Sequence, residues 1–152
     1  TIQNKLHWAI TNKTAAEIIA ERADHNKLHM GLTTWKDAPD GKIISTDVVI
    51  AKNYLLQEEI SELNNIVSMF LDYAENQARR QNLMSMDDWA YRLDGFLQFN
   101  EYDVLSNAGK ISKKVADNLA KEEFKKYRII QDREFESDFD KLTASTMKKK
   151  RN

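Results

Sequence analysis

The residues whose types could do chemistry are few and scattered. His25-x-x-x-His29 has the spacing of two metal ligands on one helical turn. Both fall where the helical signal fades, Lys27 sits between them, and no third ligand is evident, so they read as two exposed loop histidines. His7, beside Trp8, reads as a half-buried structural residue rather than a general base. The adjacent carboxylates Glu58-Glu59 and Asp87-Asp88 fall at helix starts, where capping and the helix dipole account for them without acid–base catalysis. Glu134, Glu136, Asp138 and Asp140 alternate with aromatic residues as a solvated helix face. Arg79-Arg80 end a helix, where cations suit the dipole, and Lys148-Lys149-Lys150-Arg151 read as a disordered solubilising tail more than a phosphate-binding arm. There is no Gly-rich phosphate loop, no G-x-S-x-G and no H-E-x-x-H. No cofactor and no metal are expected, no catalytic residue is assigned, and the balance leans away from an enzyme.

The chain has 152 residues, 41% of them hydrophobic and 31% charged. That is one domain, able to bury roughly 70% of its unfolded surface. Basic and acidic residues nearly cancel, 23 against 24, so no global field draws in nucleic acid or anionic lipid. The lack of cysteine excludes disulfides, Cys-zinc sites, iron–sulfur clusters and thiol catalysis. No stretch approaches the roughly 18 apolar residues of a membrane helix, so no membrane association and a cytoplasmic location are expected. With neither an initiator Met nor a signal-peptide pattern, the chain is expected to be a processed or excised piece.

The elements that must position any site are helical. Four Gly and one Pro leave residues 42–94 and 110–152 free of breakers and rich in Ala, Leu, Glu, Lys and Gln. The expected fold is all-α: a compact domain of about six helices, one long ordered loop and a long C-terminal helix. A first helix covers Gln3 to Ile10. Thr14-x-x-Glu17 caps a second that fades near Asp24. His25 to Ser45 forms a folded loop packed through Leu28, Met30, Leu32, Trp35, Ile43 and Ile44. Thr46 or Asp47 caps a short helix through Tyr54. Leu56 to Gln81 carries Ile60, Leu63, Val67, Phe70, Leu71, Ala74 and Ala78 as one stripe, with Ile66, Met69 and Tyr73 as a second edge, and so is central and packed on at least two sides. Ser85 caps the next helix, in which Gly95 allows close helix contact or a bend. Asn100 opens one more turn through Leu105, and Gly109 takes a left-handed position beyond a helix end.

Ser112 caps a final helix expected to reach Leu142, and residues 143–152 form a basic, disordered tail. Thirty-one helical residues span roughly 46 Å, against a domain diameter of about 38 Å. Phe124, Tyr127, Phe135, Phe139 and Leu142 recur at spacings of three and four on the outer part, so this helix is the candidate interface for a protein partner or a homo-oligomer. Trp8, Trp35 and Trp89 read as core rather than a base-stacking surface.

Several strings in order resemble a known family: Lys5-Leu-His-Trp-Ala-Ile10, Lys13-Thr-Ala-Ala-Glu-Ile-Ile19, Arg22-Ala-Asp24, Met30-Gly-Leu-Thr-Thr-Trp35, Asp47-Val48, Ala51-Lys-Asn-Tyr-Leu55, Phe70-Leu-Asp-Tyr-Ala-Glu75, residues 93–102 and Asn107-Ala-Gly-Lys-Ile-Ser112. Together they resemble the C-terminal half of the bacterial RhuM virulence-protein family, over nearly the whole chain to about Leu142. The resemblance implies a bacterial source and a longer parent whose N-terminal half is helix-turn-helix-like. It also implies a setting in pathogenicity islands and other mobile loci, near restriction systems or fused to Fic-type domains. The family's biochemical activity is poorly defined, so no catalytic residue transfers. Within the matched strings, Lys13, Arg22, Asp24, Asn53, Tyr73, Glu75, Asn76, Asn100 and Glu101 form the candidate polar set, weighed against a role in satisfying buried backbone groups.

The leading expectation is a non-enzymatic interaction and regulatory module. The alternatives are a DNA-associated module, dimerising or adding phosphate contacts beside the absent N-terminal half, and an uncharacterised enzyme.

Overall fold

The computed structural model describes residues 2–135. Among them are five α-helices and no strand: α1 (Ile2–Thr11), α2 (Ala15–Arg22), α3 (Gln57–Arg79), α4 (Met86–Phe99) and α5 (Lys113–Glu134). Three 3-10 turns, Leu28–Gly31, Asp47–Val49 and Ala51–Tyr54, punctuate the long segment between α2 and α3. The expected all-α class is the observed one, with five α-helices in place of about six.

Helix starts follow local chemistry. Thr14 Oγ1 accepts the Glu17 N–H at 3.3 Å and donates to Glu17 Oε1 at 3.0 Å. Ser85 and Asp88 complete a reciprocal box: the Asp88 N–H donates to Ser85 Oγ (3.1 Å) and the Ser85 N–H to Asp88 Oδ2 (3.0 Å). Ser112 Oγ accepts the Val115 N–H at 3.2 Å. Leucine at 56 offers no side-chain acceptor, so α3 relies on Glu59 reaching back to the Leu56 N–H at 2.8 Å.

The structure departs from the expected elements where distant contacts override local pattern. Asp47 caps no helix. Its buried carboxylate accepts the Lys36 N–H (3.1 Å) and the Ile44 N–H (2.8 Å), tying the loop together, and two 3-10 turns replace the expected helix through Tyr54. Within the loop, Met30, Leu32, Trp35 and Ile43 are buried, whereas Leu28 and Ile44 face solvent. No helical turn follows Asn100: Glu101 takes φ 65°, which reverses the chain, and Asn100 Nδ2 donates back to the Phe96 carbonyl at 2.8 Å. Gly109 does have positive φ (87°), but in the turn before α5 rather than behind a helix. Met69 and Leu71 are exposed, so α3 is not packed on two sides along its whole length. Finally, α5 stops at Glu134, with Phe135 extended at its C-cap. Its 22 residues span about 33 Å, so no overhang is required. Phe139, Leu142 and residues 143–152 lie outside the described residues.

Two apolar clusters hold the helices. The larger joins Ile18 and Ile19 of α2 to Met30, Leu32, Trp35 and Ile43 of the loop, Val48, Tyr54 and Leu55 of the turns, and Ala116 and Ala120 of α5. The two alanines leave room for α5 to approach α2 closely. The smaller cluster is Ile66 of α3 with Leu93 and Leu97 of α4, closed by Ile2, Leu6, Ala9 and Ile10 of α1. Lys5 Nζ reaches Asp94 Oδ1 at 2.7 Å across the same seam. The α3–α4 pair is thus an arm fastened along α1 and, in the first half of α3, by Leu63 in the larger cluster.

Candidate functional site

α2 ends where Ala23 turns extended, and its last residue becomes a fork. Arg22 Nη1 donates to Glu59 Oε1 (2.6 Å) and to the Tyr54 carbonyl (2.9 Å), while Nη2 donates to Glu59 Oε2 (2.9 Å). The hydrogen bond from Arg22 holds the Glu59 carboxyl below its ordinary range, and the same bond raises Arg22. This bidentate pair latches α2 to the turn and to the start of α3. Asn53 is also spent on structure: Nδ2 donates to the Asp47 carbonyl at 3.0 Å, and its own carbonyl accepts the Thr33 N–H at 2.7 Å. Tyr54 Oη donates to the Val48 carbonyl at 2.7 Å, and burial pushes its phenol pKa up.

The chain leaving α2 meets α5 at a second cluster. Glu123 Oε2 accepts the His25 N–H at 3.0 Å and faces His25 Nδ1 at 2.5 Å. Asp24 Oδ1 accepts the Asn26 N–H at 2.9 Å. The backbone bond from His25 is the main reason that Glu123 titrates below the ordinary carboxylate range. One turn along α5, Tyr127 meets the His29 backbone, so two α5 side chains clasp the loop. The two histidines do not share a site. Both are half-buried, and the His29 ring packs on Trp35, with centroids 4.7 Å apart. Sequence reasoning missed Glu123, whose partner lies 98 residues away. His7 is more buried than expected, at 3% exposure, and burial lowers its pKa.

The other candidate polar residues take partners elsewhere. Lys13 pairs with Glu21 at 2.8 Å. Tyr73 Oη accepts from Arg92 at 3.3 Å and its ring meets Trp89 edge-on. Glu75 pairs with Arg79 one turn along α3 (2.8 Å), and both line a shallow depression with Asp72 and Asn76. Asn100 and Glu101 shape the turn after α4, as described above.

Of the candidate interface, Phe124 and Tyr127 pack against the main core, and Lys42 lies over the Phe135 ring at 4.9 Å. Exposed apolar side chains remain on α5 at Val115 and Ile129 and in the loop at Leu28, and the most exposed group is on the arm. Leu83 is 98% exposed, Phe99 87%, Tyr91 79% and Met86 70%. Tyr91, Gly95 and Phe99 stand one turn apart on α4, and a Cβ built on Gly95 would meet nothing. With Tyr73, Arg92, Phe96 and Val104 they edge a groove of about 560 Å³.

Fold and side chains together define an all-α domain whose inward polar groups serve its own loop and whose α3–α4 arm carries several large exposed apolar side chains. The chain belongs to the virulence protein RhuM family, whose family model matches residues 1–136. No curated protein and no solved structure matches it. No helix among the described residues is long and apolar enough to cross a membrane.

Proposed function

We propose that this RhuM-family chain is a non-enzymatic interaction module that docks a protein partner through the α3–α4 arm. The observation carrying this reading is the stripe Tyr91, Gly95 and Phe99: two large aromatic side chains left in water on one face of α4, flanking a glycine. The glycine notch lets a partner's side chain or backbone approach between the two rings. Residues 57–99 carry eight carboxylates and three arginines, and with Glu59 and Asp94 taken up by Arg22 and Lys5 an excess of three carboxylates remains, which favours an apolar partner surface rimmed by Lys or Arg. The same acidic rim repels a polyanion. The DNA-associated alternative therefore draws on the helix-turn-helix-like half that the family resemblance implies, not on this arm.

The test uses the chain as bait in bacterial lysate, with and without nuclease, beside Tyr91→Ser/Phe99→Ser. Both substituted side chains are exposed, so the variant should melt with the parent. The reading expects a stoichiometric protein, retained after nuclease, weakened by added salt and lost from the variant. Retention that vanishes with nuclease, or survives the double substitution, overturns it. Concentration-dependent self-association abolished by the variant would replace the foreign partner with a second copy.

A further inference from the structure

The seam between the end of α2 and the middle of α5 brings together an imidazole and two carboxylates from opposite ends of the chain. One ligand-capable atom from each of Asp24, His25 and Glu123 lies within 4.8 Å of the other two, and all three residues are half-buried. Donors bound to one cation at about 2.0–2.2 Å stand roughly 3.5 Å apart, so small side-chain rotations convert this spacing into a coordination shell. We propose that Asp24, His25 and Glu123 form a binding site for a divalent first-row transition ion of the zinc or manganese type.

Donor chemistry sets the class of ion. An imidazole nitrogen suits zinc, cobalt, iron and manganese, whereas calcium and magnesium prefer shells made of oxygen alone. Three protein ligands leave the remaining positions to water. The donors are also held from behind. The His25 N–H fixes Glu123 Oε2, the Asn26 N–H fixes Asp24 Oδ1, and the Asp24 N–H donates to the Met30 carbonyl at 3.1 Å. A competing cation is Lys126, whose Nζ is 3.9 Å from Glu123 Oε1. A bound ion would staple the loop leaving α2 to α5, where Glu123 and Tyr127 already hold it. The i, i+4 histidine pair suggested by spacing is not the site, because His29 is turned onto Trp35.

The test is calorimetric titration of the untagged, metal-stripped chain with Zn²⁺, alongside Co²⁺ titration followed by visible absorption. The expected result is one equivalent bound, a visible Co²⁺ band, and a rise in melting temperature on loading. Glu123→Gln and His25→Ala should each weaken binding by about tenfold or more. His29→Gln should bind as the parent does, and Lys126→Gln should bind at least as tightly. Circular dichroism establishes that each variant is folded before titration. Absence of binding to the folded parent at millimolar Zn²⁺, or undiminished binding by folded His25→Ala, overturns the proposal.

Discussion

The Arg22–Glu59 latch can be taken apart quantitatively. Glu59 accepts two Arg22 N–H bonds and the Leu56 N–H, with both side chains of the ion pair less than a fifth exposed. In Glu59→Gln one amide oxygen remains as acceptor, but the amide NH₂ must face a guanidinium that only donates. A charge-assisted bond is lost and a largely buried cation is left unpaired, which should cost about 2–3 kcal/mol. For a domain of this size that is a fall of roughly 6–9 °C in Tm. A cycle with Arg22→Met should return a coupling energy of about 1.5–2 kcal/mol. The pH dependence has a definite sign. Pairing depresses the Glu59 pKa on folding, so its contribution is full above the unfolded value of about 4.3 and is lost as pH falls through the folded value. Urea unfolding followed by circular dichroism, at steps from pH 7 to pH 3.5, should show parent and variant converging in acid. A difference below about 0.5 kcal/mol at pH 7, or one that persists unchanged at pH 3.5, would refute the latch.

Three further outcomes are expected. Burial depresses the His7 pKa below 6.5, so its contribution to stability is full above the unfolded value and falls as pH drops below it, and His7→Gln should flatten that slope between pH 7 and pH 5 in the same unfolding assay. At Gly31, φ is +92° and an added Cβ would sit 2.0 Å from the Arg22 carbonyl oxygen; Gly31→Ala should cost more than about 2 kcal/mol in urea unfolding, and a neutral result would contradict the turn geometry. Leu97 is fully buried in the smaller cluster, so Leu97→Ala should cost about 2–4 kcal/mol in chemical unfolding.

What the sequence disclosed and what it hid divide along sequence separation. The caps at Thr14, Ser85 and Ser112 are legible because donor and acceptor lie three residues apart. The α3 stripe is legible through Ile60, Leu63 and Val67, which pack into the larger cluster, and Phe70, which with Ile66 of the second edge packs into the smaller one. The role of Asp47 is not, because its acceptors serve Lys36 and Ile44 in a loop without period. Phe124 and Tyr127 have the spacing of an interface, and only the folded loop beneath them shows that they face inward. Glu123 looks like any acidic residue on a helix rich in charge until His25 is placed against it. The arm's stripe was half visible: Gly95 suggested close approach, but period alone cannot tell a buried face of α4 from an open one.

Leu6 and Ile10 pack against both apolar clusters at once. A wall common to two rooms cannot be removed from one alone. Loosening the arm strips packing from the side chains that also seal the body, and loosening the body frees the helix on which the arm rests. The two cores therefore share one free-energy ledger and unfold together rather than in sequence. Strain applied at the arm is felt by the body through this turn of α1, as it is through Leu63 and the Arg22–Glu59 pair at the start of α3.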